Sequence, residues 1–89
     1  MNLPRRRSLE ALLWAAAGCT YREIAEWMTV AEPTVWAELY AAKQRYRLHD
    51  RWTRVSTMRL LVAALVAGDL TIDQCAEAAA LVDAERERA

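Results

Sequence analysis

Leu9, Leu12, Leu13 and Ala16 recur at i, i+3, i+4 and i+7, the stripe of one helix face. Ser8 stands before the stripe as an N-cap and Gly18 after it as a left-handed stop, which predicts a helix over about 9–17. Thr20-x-x-Glu23 reads as a capping box, and Tyr21, Ile24, Ala25 and Met28 behind it predict a second helix over about 21–28. Thr29, Val30 and Ala31 form a short break. Pro33 then falls in a first turn, where its missing N–H costs nothing, and Val35, Leu39, Ala42 and Tyr46 carry a third helix from about 32 to 47. Residues 48–56 read as a connector. Met58, Leu61, Val62 and Leu65 mark a fourth helix that Gly68 ends. A second box, Thr71-x-x-Gln74, opens a fifth, with Ile72, Cys75, Ala76 and Ala79 inward. The fold class expected is all-α: a three-helix helix-turn-helix core followed by a two-helix C-terminal hairpin. Its units are 8–47, a basic connector 48–56, and a helical hairpin 57–88 for dimerisation or interaction.

Composition agrees. In 89 residues there are two Gly, two Pro and no Phe, and 55% of the chain is hydrophobic. Disorder is excluded at that apolar content. No apolar run approaches the roughly eighteen residues of a membrane span. The basic N-terminus lacks the apolar stretch of a secretory signal. Cys19 and Cys75 make at most one bridge, and a reduced, cytoplasmic protein with two free thiols is the expectation. AGCTYREIAE (17–26) and AGDLTIDQCAE (67–77) echo one another. Shared helix-hairpin grammar is the favoured account, and a duplicated helical hairpin is the alternative.

A net charge of zero hides a division along the chain. Residues 1–60 hold ten Lys+Arg and six Asp+Glu, net +4, and residues 61–89 hold two and six, net −4. Lys43, Arg45, Arg47, Arg51, Arg54 and Arg59 crowd one stretch, and Arg5, Arg6 and Arg7 form a second cluster. A positive portion suits a polyanion.

The break between helices two and three fits a helix-turn-helix. The segment SLEALLWAAAGCTYREIAEWMTVAEPTVWAEL resembles the LuxR-type DNA-binding domain and the similar sigma-factor region that reads the −35 element. The features that match are Gly18, Thr20, Glu23-Ile24-Ala25-Glu26, Met28, Val30, and Thr34-Val35 followed by Leu39. The likeness covers residues 8–47 and implies a major-groove reader built on the third helix. Two positions depart from that pattern: Thr29 stands at the turn where the family usually has Gly, and Ala31 at the cap where it usually has Ser.

Independently of resemblance, Val35 and Leu39 inward leave Trp36, Tyr40, Lys43 and Arg47 on one outer strip. Base-reading candidates are Pro33, Thr34, Trp36, Ala37, Tyr40 and Gln44. Phosphate candidates are Arg22, Lys43, Arg45, Arg47, Arg51 and Arg54. The partner expected is double-stranded DNA. The alternative is a protein-interaction module that grips RNA polymerase or another regulator through the same fold, with Trp36 and Tyr40 buried. Helix four carries Leu60, Ala63, Ala64 and Ala67 opposite its first apolar face, so a homodimer is also expected. No enzyme, metal or cofactor is expected. His49 is the single histidine, and neither a phosphate loop nor a Gly-x-Ser-x-Gly elbow is present.

Overall fold

The computed structural model describes residues 3–48 and 56–88. These form five helices and, among the described residues, no strand: α1 (Arg7–Ala16), α2 (Tyr21–Met28), α3 (Glu32–Arg45), α4 (Ser56–Ala67) and α5 (Ile72–Arg88). No helix among the described residues is long and apolar enough to cross a membrane.

Local chemistry sets the ends of the helices. Thr20 Oγ1 accepts from the Glu23 amide at 3.2 Å while Glu23 Oε1 accepts from the Thr20 amide at 2.8 Å, the expected reciprocal box. Thr71 and Gln74 repeat it, with distances of 3.0 and 2.9 Å. Ser8 does not cap α1. The Arg6 carbonyl already accepts from the Leu9 and Glu10 amides, so the helix begins at Arg7 with no side-chain cap and Ser8 lies inside it. α3 likewise starts without a side-chain cap at Ala31, with Pro33 in its first turn.

The first four helices close on one device. Just past each helix one amide reaches back five residues: Cys19 to Trp14, Val30 to Ala25, Leu48 to Lys43, and Asp69 to Ala64. The preceding amide bonds three back, from Gly18, Thr29, Arg47 and Gly68. This is the Schellman pair, which needs a left-handed residue between its two bonds. Glycine supplies it twice, at φ 95° and 77°. Thr29 and Arg47 supply it at φ 56° and 58°. The break after α2 therefore keeps the left-handed geometry despite its β-branched residue. α3 stops at Arg45, two residues earlier than expected.

α1 is the hub and packs on all four other helices. Leu12, Leu13, Ile24, Ala25, Val35 and Leu39 share one core, as expected, joined by Leu9, Ala11, Trp14 and Ala42. Leu60, Ala64, Leu70, Ala78 and Val82 belong to that same core. The C-terminal helices enter it with other faces than the periodicity suggested. α4 turns Leu60 and Ala64 inward and leaves Met58 and Val62 exposed. α5 buries Ala78 and Val82, while Ile72 and Ala76 are exposed and Cys75 and Ala79 half-buried. Both helices pack chiefly on α1 rather than on each other, so 57–88 is not a self-packed hairpin.

Two polar ties hold the ends of this arrangement. Arg86 Nη2 donates to the Gly18 carbonyl at 2.8 Å and to Glu23 Oε1 at 3.4 Å, joining α5 to the α1–α2 turn. Asp69, between α4 and α5, accepts from Arg45 Nε at 3.1 Å and from the Tyr46 hydroxyl at 2.6 Å, joining that turn to the end of α3.

Candidate nucleic-acid interface

α3 is fixed from behind by Val35, Leu39 and Ala42, all buried against the core. A spacing of 3.6 residues per turn then fixes what points away. Trp36 is 61% and Tyr40 54% exposed, large fractions for aromatic side chains on a packed helix. They are not covered by the C-terminal helices. Pro33, Ala37 and Gln44 are exposed on α3 and Thr34 is half-buried.

Among the described residues Trp36 has one aromatic neighbour, Tyr21 from the first turn of α2, edge-on at 4.4 Å and 86°. The contact supports the indole while leaving most of it to solvent, and it brings the start of α2 beside the α3 strip. Arg22, the residue after Tyr21, is exposed there. A second aromatic pair, Trp14 on Trp27, is stacked at 4.4 Å and 14° and braces α1 against α2 from the other side. Trp14 Nε1 also donates to Glu10 Oε2 at 3.2 Å. An open depression beside Trp36 is lined by Glu32 and Pro33. The first turn of α3 therefore presents a carboxylate next to its aromatic residue.

The basic candidates divide. Lys43 is half-buried on α3. Arg47 is exposed but sits past the helix end in the left-handed position, so it leaves the α3 strip rather than continuing it. Tyr46 is the cause: half-buried and bonded to Asp69, it ends the helix one residue before Arg47. Arg45 is already engaged, with Nη2 3.1 Å from Asp69 Oδ2 in addition to its Nε bond. Arg51 and Arg54 lie outside the described residues.

The titrating groups report the same tie. The Arg45 hydrogen bond, then that of Tyr46, holds the Asp69 carboxyl below the usual carboxylate range, and the Arg6 charge adds to this. Burial first, then the hydrogen bond to Asp69, pushes the Tyr46 phenol up. Asp69 in turn raises Arg45. Sequence reasoning grouped Arg45 with the phosphate contacts because its partner lies twenty-four residues away, beyond the reach of any local pattern.

No group of three or more His, Cys, Asp or Glu side chains is placed to hold a metal ion among the described residues. Cys19 and Cys75 are both free and half-buried. Burial raises both thiols, and Glu23 raises Cys19 further against an opposing effect of Arg86.

Comparison with known proteins finds no matching family model, no matching curated protein and no matching solved structure.

Proposed function

We propose that the chain is a small DNA-binding transcriptional regulator that lays the outer strip of α3 in the major groove. The observation that carries this reading is the exposure of Trp36 and Tyr40, one turn apart on a helix whose opposite face is fully packed. An α-helix fits the major groove, and apolar side chains there meet thymine methyl groups. Pro33, Thr34, Ala37 and Gln44 complete the base-facing set. Lys43, Arg47 and Arg22 flank it and are suited to phosphate oxygens, with Arg51 and Arg54 following in sequence. Arg45 drops out of the phosphate set because Asp69 occupies its guanidinium.

The test is binding by fluorescence anisotropy to duplexes selected from a random library, titrated with salt. Lys43→Ala or Arg47→Ala is expected to weaken all sequences alike and lower the salt slope by about one unit each. Trp36→Ala with Tyr40→Ala is expected to change sequence preference. Unaltered affinity and preference in that double variant overturns the placement of the strip.

A second reading has one observation in its favour. Glu32 stands exposed beside Trp36, and a carboxylate repels phosphate while suiting a basic protein surface. Under that reading the same strip grips a component of the transcription machinery. Stable co-purification with an RNA polymerase subunit, with no selectable DNA, is the result it expects.

A further inference from the structure

α4 has no polar outer face. Its inward side is Leu60 and Ala64, which enter the core, and Leu61 and Leu65 are half-buried at the flanks. The side turned away from the core carries Met58, Val62 and Val66 at intervals of four, 67%, 49% and 84% exposed. Ile72, just past the end of the helix, is 75% exposed. Arg59 is the one charged residue in 56–67. A helix on the surface of a monomer normally turns charge to water, and an apolar row of this kind marks a contact surface.

From this row we infer that α4 is the contact helix of a twofold homodimer, paired antiparallel with α4 of a second copy about an axis near Val62. The row is symmetric about that residue. Antiparallel pairing sets Val62 against its counterpart and Met58 of each copy against Val66 of the other. Ala63, beside Val62, leaves room for close approach of the two backbones.

Charge selects both the occupant and the orientation. Arg59 is exposed near the start of α4, and Asp73 is exposed in the first turn of α5, just beyond the end of α4. Neither has an ion-pair partner among the described residues. Within one copy they belong to opposite ends of α4, whose last eight residues span about 12 Å. An antiparallel second copy brings each Arg59 to the other's turn bearing Asp73, twice by symmetry. It also sets Arg59 at the negative end of the other helix dipole. Parallel pairing sets Arg59 against Arg59. The surface is thus complementary to itself. It does not depend on DNA binding, and its test reads mass rather than DNA.

Sedimentation equilibrium of the full chain, from micromolar to sub-millimolar concentration, is expected to show a mass rising from 10.1 kDa toward twice that value. Val62→Arg faces two like charges across the axis and is expected to stay monomeric throughout, with its helical circular dichroism kept because the site is exposed. Arg59→Asp and Asp73→Arg are each expected to weaken the dimer roughly tenfold, and the double variant to recover most of that loss. The double variant also provides the test if Val62→Arg does not fold. A mass of 10.1 kDa at every concentration, a dimeric Val62→Arg, or a double variant no tighter than the two single ones overturns the inference.

Discussion

Thr29 offers a measurement of what the turn between α2 and α3 costs. It closes α2 at φ 56° and ψ 50°, a left-handed conformation that an L side chain reaches with difficulty. The penalty is roughly 1–2 kcal/mol for a residue with a Cβ, and branching at Cβ places threonine toward the upper end. Thr29 is exposed, and the bonds that define the turn use backbone atoms: its own amide to Glu26 at 3.3 Å, and the Val30 amide to Ala25 at 3.0 Å. Thr29→Gly therefore removes strain without removing a buried contact. Against this gain, glycine loosens the unfolded chain by roughly 0.4–1 kcal/mol. A net stabilisation of about 1 kcal/mol remains. In a domain of this size that raises the melting temperature by about 4–8 °C. Thermal unfolding followed by circular dichroism, with urea melts checking that the m-value is unchanged, reads it directly. Thr29→Ala keeps the Cβ and is expected to fall short of the glycine variant. A glycine variant that melts at or below the parent temperature refutes the reasoning, since it means that the turn carries no strain to relieve.

Leu39→Ala, at a buried core position, is expected to cost roughly 2–5 kcal/mol in urea unfolding, and a cost under about half a kcal/mol sinks the inward register of α3. Asp69→Asn tests the tie between Arg45 and Tyr46. The carboxyl is depressed in the folded chain, so its contribution is present above the ordinary carboxylate range and lost as pH falls through the lower folded value. The variant is therefore expected to unfold with a flatter pH dependence in the acid range, and an unchanged acid limb contradicts the tie. Alkylation of the native protein followed by mass spectrometry is expected to label both Cys19 and Cys75, slowly at neutral pH because burial raises both thiols. A bridged species contradicts the free thiols of the structure.

The N-terminal half was largely legible in the sequence because its signals are local. Thr20 and Glu23 are three residues apart, Gly18 follows an uninterrupted stripe, and α2 has only one face that is apolar. The C-terminal helices were misread for a shared reason. α4 is apolar nearly all round, so periodicity offers two candidate faces and cannot choose, and the structure takes Leu60 and Ala64. α5 is rich in alanine, whose small side chains give little contrast between faces, and the choice falls to Ala78 and Val82. Arg45 was read as a member of a charge run. Its partner Asp69, and the tie of Arg86 to Gly18 and Glu23, are placed by tertiary packing alone. The exposure of Trp36 and Tyr40 followed from placing Val35 and Leu39 inward, but the Tyr21 ring that supports Trp36 did not, because it comes from another helix.

The central place of α1 has a consequence for how the molecule opens. α5 packs chiefly on α1 and is anchored near its end by Arg86, a bond exposed to water. Detachment of α5 alone uncovers one side of α1 and leaves α2, α3 and α4 docked on the others. Detachment of α1 takes the main support from α3, α4 and α5 at once. Amide hydrogen exchange is therefore expected to divide the chain. The α5 amides exchange through a partial opening with a free energy below that of global unfolding, whereas the α1 amides at Leu12, Leu13 and Trp14 wait for the whole molecule to unfold. Denaturant then separates the two classes: the α5 rates respond weakly to it, and the α1 rates follow the full unfolding slope.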